Sequence, residues 1–114
     1  MMGPQTAPAL FIALIVAHCV CDYPLQGDFL ARGKNYKNPI PGVPWSQCLW
    51  AHGIIHGGAV WLLTGSAFLG SLECVCHVWI DFGKCAGRYD FNVDQALHWA
   101  CKVAWAACWL YWRS

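Results

Sequence analysis

Apolar residues crowd into four stretches of this chain, and each stretch carries polar residues four positions apart. The pairs are His18 with Asp22, His52 with His56, His77 with Asp81, and Asp94 with His98. Four residues is one helical turn plus about 40°, so each pair projects from one helical face. The pattern predicts four helices, over residues 6–23, 45–63, 68–84 and 91–112. Thr6 suits an N-cap, Pro8 suits a first turn, and Pro24 stops the first helix. Residues 25–44 are polar and contain Asn38-Pro39-Ile40-Pro41-Gly42-Val43-Pro44. This segment reads as a loop with a short interfacial turn. Gly53 and Gly57 sit one turn apart beside the paired histidines and allow a second helix to approach closely. Thr64-Gly65-Ser66 breaks the pattern, and residues 85–89 form the last turn.

Composition changes what these helices mean. At 114 residues there is room for one domain. The chain is 58% apolar and only 11% charged, with eight tryptophans, whereas soluble domains carry about 25% charged residues. The expectation is an all-α integral membrane protein, a four-helix transmembrane bundle built as two helical hairpins. The third helix is short for a full span, and Trp105, Trp109, Tyr111 and Trp112 resemble an interfacial belt. A formal charge of +1 without a basic cluster gives no sign of a nucleic-acid surface, and no nucleic-acid partner is expected.

The first apolar stretch has no basic residue before it and no small-x-small cleavage site. It therefore reads as a retained helix rather than a signal peptide. His18 stands where lipidation of Cys19 needs a small residue. Cys19, Cys21, Cys74, Cys76, Cys101 and Cys108 fall inside apolar helices, where cysteine packs as a small hydrophobe. Thiols two residues apart on a helix diverge by about 200°, which argues against chelation by Cys19 with Cys21 or by Cys74 with Cys76.

Basic residues suggest an orientation. Arg32, Lys34 and Lys37 lie between the first and second helices, and Lys84 and Arg88 flank the last turn. The positive-inside rule then places both basic loops in the cytoplasm of a bacterial cell, with the protein in the inner membrane and both termini outside. All four pairs fall on the cytoplasmic side, with His18, His52, His77 and His98 roughly 9–11 Å from their helix mouths. A weak repeat emerges, in which His-x-x-x-Asp is followed by a basic loop and then by a pair ending in histidine. Packing about a pseudo-twofold axis turns all four pairs inward.

Five imidazoles and three carboxylates suffice for one or two divalent metal ions, as in four-helix bundles that carry metals between facing helices. The candidate ligands are His18, Asp22, His52, His56, His77, Asp81, Asp94 and His98. The mixed nitrogen and oxygen set suits zinc, iron or manganese. Such an ion lowers the pKa of a bound water towards neutrality. Glu73 and Lys84 extend the stripe of the third helix, and Asp90 and Lys102 that of the fourth. Lys84, near the mouth, is a candidate anchor for an anionic substrate group, or a lysine that snorkels. Lys102 is read as neutralising a buried carboxylate, and Asp28 as a cap or turn residue. The alternative for the whole set is a buried ionic network that fixes helix pairing.

The ordered set resembles a family of small bacterial and phage membrane proteins, domain of unknown function 3307. The resemblance rests on His18-x-x-x-Asp22-Tyr23-x-Leu25-Gln26, His52 with His56, His77-x-x-Ile80-Asp81-x-x-Lys84, and Asp94-Gln95-x-x-His98. It implies a helical membrane protein, phage-encoded or bacterial, and adds Gln26 and Gln95 to the site as groups that orient ligands or substrate. The chain is similar, more distantly, to membrane-bound metal-dependent hydrolases. It departs from the family pattern in its many cysteines and in Pro24.

The functional expectation is a metal-dependent hydrolase of an amphiphilic or lipid-linked substrate, with Lys84, Gln26 and Gln95 positioning that substrate. The lipid bilayer is the expected partner, and self-association is compatible with the same reading. The competing expectations are a non-enzymatic membrane protein, such as a holin-like pore or a membrane-remodelling partner, and a small proton or ion transporter.

Overall fold

The computed structural model describes residues 3–113, and among these it is wholly helical. Helix α1 spans Ala7–Asp22, α2 Gly27–Gly33, α3 Trp45–Thr64, α4 Ala67–Cys85 and α5 Phe91–Arg113. The four predicted helices are present to within one residue at each end. Their boundaries follow from capping. Thr6 Oγ1 accepts from Ala9 N at 3.2 Å, Ser66 Oγ from Leu69 N at 3.1 Å, and Asp90 Oδ1 from Val93 N at 2.9 Å. Gly65 closes α3 in the left-handed conformation (φ 74°), which no β-carbon obstructs.

The fifth helix corrects the reading of residues 25–44 as a loop with a single turn. α2 is seven residues long and bends 83° away from α1 across the break at residues 23–26. It rests on α3, where Gly33 closes against Cys48. The segment after it is also tied down, because the Tyr36 ring stacks on Phe82 of α4 at 4.7 Å and packs beside Trp45.

α1, α3, α4 and α5 form a ring in which each packs on its two neighbours. The α3–α4 contact is the most intimate. A β-carbon at Gly57 would lie 2.6 Å from the Gly70 carbonyl oxygen, and one at Gly70 equally close to the Gly57 carbonyl. Gly53 faces Val78 and Cys74 in the same way. The close approach expected of Gly53 and Gly57 is thus made by α4.

Inside the ring the residues are layered along the axis. Leu10, Leu14, Val60, Leu69, Trp105, Ala106 and Trp109 fill one end. Glu73 and Lys102 come next, and the histidines and aspartates occupy the other end. The outward faces are apolar, with Ile12, Val16, Ile54, Leu62, Val75, Trp79 and Val103 all exposed. No single helix among the described residues is long and apolar enough to cross a membrane. α1 is only about 24 Å long, and its combination with α2 reaches the length only across a sharp bend. The eight cysteines are free thiols.

Candidate metal centre

Each helix turns its four-residue stripe inward, so the residues that periodicity picks out become neighbours. His18, His52, His56, His77 and His98 are all at most 2% exposed, as is Asp94, while Asp81 and Asp22 are nearly so. Two carboxylates organise the cluster. Asp22 Oδ1 lies 3.1 Å from His52 Nε2, 3.1 Å from His56 Nε2 and 3.7 Å from His77 Nε2. Its other oxygen lies 3.4 Å from His18 Nε2. Asp81 Oδ1 lies 3.0 Å from His98 Nε2, and its Oδ2 lies 3.4 Å from His52 Nε2 and 3.5 Å from His77 Nε2. Asp22 and Asp81 hold the same place in the two His-x-x-x-Asp motifs of the repeat.

His77 is common to both groups. Its ring stacks between those of His56 and His98, with centroids 3.6 and 4.1 Å away. Two donor sets result, Asp22 with His52, His56 and His77, and His77 with Asp81 and His98, the donor atoms of each lying within 4.8 Å of one another. Asp94 Oδ1 approaches His98 Nε2 at 3.4 Å, at the edge of the second set.

Three observations fit these residues to a cation. A carboxylate oxygen offers about two lone-pair directions. Two imidazoles already take up Asp22 Oδ1, and His77 Nε2, buried between Asp22 and Asp81, has no hydrogen-bond partner among the described residues. Tetrahedral ligands at about 2.0–2.1 Å from an ion lie about 3.3 Å apart, and Asp22 Oδ1 lies 3.1, 3.1 and 3.7 Å from its three imidazole nitrogens. Charge is the third. Asp22, Glu73, Asp81 and Asp94 are buried together with only Lys34 and Lys102 as ammonium partners. Four carboxyl groups thus face two ammonium groups, and a bound cation would offset the imbalance.

The surrounding groups orient the donors. The Gln95 side-chain amide donates to Asp22 Oδ2 and Asp94 Oδ2, both at 3.1 Å, and its carbonyl oxygen lies 3.0 Å from His18 Nε2. One glutamine thereby ties α1 to α5. Gln26 donates to the Asp22 backbone carbonyl at 3.0 Å, and its Oε1 is buried without a hydrogen bond. Glu73 Oε1 faces His77 Nδ1 at 3.4 Å, while Glu73 itself accepts from Lys102 and, at 2.6 Å, from Trp105 Nε1. Lys102 therefore neutralises a buried carboxylate, as its position on the stripe suggests.

Lys84 stands at the rim, its Nζ 4.9 Å above the Phe91 ring, and makes no contact with the donor groups. Asp28 is exposed and pairs with Arg32 at 3.3 Å, and Asp90 caps α5, so neither belongs to the centre. Sequence patterning missed Lys34, whose Nζ reaches Asp81 Oδ2 at 2.7 Å, and did not assign Glu73 to the site. Beside the centre, Tyr89 donates to the Ile80 carbonyl, and burial with Asp94 and Asp81 nearby pushes its phenol above the usual range.

Helices arranged around buried, converging imidazoles and carboxylates define a helical-bundle protein with a candidate metal centre. A family model described as "Protein of unknown function (DUF3307)" matches residues 10–113, and the chain belongs to that family. The match carries no activity, and the likeness to membrane-bound metal-dependent hydrolases is no part of it. No curated protein and no solved structure matches the chain.

Proposed function

We propose that this chain is a membrane-embedded, metal-dependent hydrolase that acts on an amphiphilic substrate at the cytoplasmic interface. The observation that carries the reading is the joint placement of His77 Nε2 between Asp22 and Asp81, buried and without a hydrogen bond. Asp22, His52, His56 and His77 would hold an ion, or His77 would turn to an ion held with Asp81 and His98, because its single Nε2 lone pair serves one ion at a time. An ion in either place supplies Lewis-acid activation of water and of a polarised substrate bond.

The other residues set up the site. Gln95 fixes the rotamers of Asp22 and His18, as partners of metal-ligating imidazoles commonly do, and Glu73 faces the ring of His77 from behind at 3.4 Å. Gln26 and Lys84 lie towards the mouth and suit substrate positioning. The apolar layer around Leu10, Leu14 and Leu69 blocks the bundle interior behind the centre. A dead end favours a site over a conduction path, and so supports an enzyme over a pore or transporter. Membrane placement is supported by the reversal of the usual order, with apolar side chains outside and ionisable ones inside.

The test is hydrolysis of ester- or phosphate-linked amphiphiles by detergent-purified protein. Activity should vanish with a chelator, return with zinc, iron or manganese, and be lost in Asp22→Ala. Activity that persists in Asp22→Ala or survives chelation would sink the proposal.

A further inference from the structure

Five of the seven lysines and arginines, Arg32, Lys34, Lys37, Lys84 and Arg88, gather at the end of the bundle that holds the centre. Between α2 and the last turn of α4 lies a recess of about 210 Å³, lined by Ala31, Lys34, Asn35, Asp81, Lys84 and Cys85. Asp81 belongs to the second donor set, so the recess reaches the centre from its basic rim.

Its two ammonium groups differ. Lys34 is mostly buried and is held at 2.7 Å by Asp81. Lys84, three residues after Asp81 on the same helical face, has no carboxylate partner among the described residues and rests over Phe91. Asn35 uses its side-chain oxygen to accept from Lys37 N at 3.0 Å, which leaves its amide group to donate. Two lysines and an amide donor match a compact oxyanion of charge about −2, for which lysine acts as a point charge. Phe29 of α2 and Leu25 just before that helix are exposed apolar residues at the same end of the bundle.

We infer that this recess binds the phosphate group of an anionic amphiphile, with Lys84 as its standing cation and Lys34 moving from Asp81 to the phosphate on binding. The inference names the substrate class of the proposed hydrolase. It rests on that reading for the chemistry after binding, though not for binding itself. Release of Asp81 by Lys34 would leave that carboxylate to the donor set just as the substrate arrives.

The experiment is calorimetric titration of the full chain in a non-ionic maltoside detergent, with dioctanoyl phosphatidate, dioctanoyl phosphatidylcholine and inorganic phosphate as separate probes. Wild type should bind phosphatidate, and Lys84→Gln should bind it about tenfold more weakly, the worth of one charge-assisted contact. Lys34→Gln should do the same, while Arg113→Gln, at the far end of α5, should stay within about twofold. Phosphatidate bound much more tightly than inorganic phosphate identifies a lipid head group as the ligand, and equal binding identifies the free ion. Should Lys34→Gln fail to fold, Lys84→Gln still decides. Equal affinity in Lys84→Gln and wild type, or phosphatidylcholine bound as tightly as phosphatidate, overturns the inference. Repeating the titration after chelation separates the two readings. Lysine-dependent binding by protein that never takes up metal would leave the recess standing and remove only the metal centre.

Discussion

Asp22 shows why single residues matter so much in this interior. Three imidazole nitrogens lie within 3.7 Å of one of its oxygens, and Gln95 holds the other at 3.1 Å. All eight paired residues turn inward, six of them into the two donor sets with His18 and Asp94 beside these. The inward faces were legible in the sequence because a four-residue step is local and a helix turns it directly into a shared face. Lys34 was not legible, since its partner Asp81 lies 47 residues away and depends on the path taken by α2. Glu73 was visible on the stripe of α4, but its place behind His77 depends on α5 supplying Lys102 and Trp105. At this scale the Glu73–Lys102 pair makes a sharp prediction. Lys102→Met leaves a buried carboxylate without its ammonium and should cost about 3–5 kcal/mol. The double change Glu73→Leu with Lys102→Met should recover most of that loss, as read from unfolding in detergent. Equal stability of wild type and Lys102→Met would contradict the assignment.

The helices α1, α3, α4 and α5 were readable from caps and from the shift between apolar and polar stretches. α2 was not, because an isolated seven-residue helix has little stability of its own and forms only where tertiary contacts hold it. Here those contacts are Gly33 on Cys48 and the following Tyr36 on Phe82. Gly53 and Gly57 announced a close helix contact, while the identity of α4 as the partner came from the fold. Leucine at Gly57 should force α3 from α4, at about 1–3 kcal/mol or more. Because His52 and His56 ride on α3, Gly57→Leu should also reduce metal retention. The check is thermal unfolding and metal content measured on one preparation. A change at the outward-facing Ile54→Val should leave both close to wild type.

For the molecule as a whole, the arrangement of polarity is what the proposed membrane placement rests on. Ionisable residues fill one end of the bundle interior, and tryptophan, leucine, isoleucine and valine cover much of its outside. Composition raised the membrane expectation, whereas no single helix among the described residues is long and apolar enough to be a plain span. The proposed membrane placement predicts that the expressed protein stays in the membrane fraction after alkaline carbonate washing and enters solution with non-ionic detergent. Recovery in the carbonate supernatant would contradict it.

The centre shared by Asp22, His77 and Asp81 carries the whole functional reading. Metal content of detergent-purified protein, measured by plasma mass spectrometry without chelator in any buffer, tests it most directly. The predicted result is about one zinc, iron or manganese ion per wild-type chain, since the two donor sets share His77, with most of it lost in a folded His77→Ala variant. Wild-type protein that carries no such ion and takes up none on incubation with all three metals would contradict the metal centre.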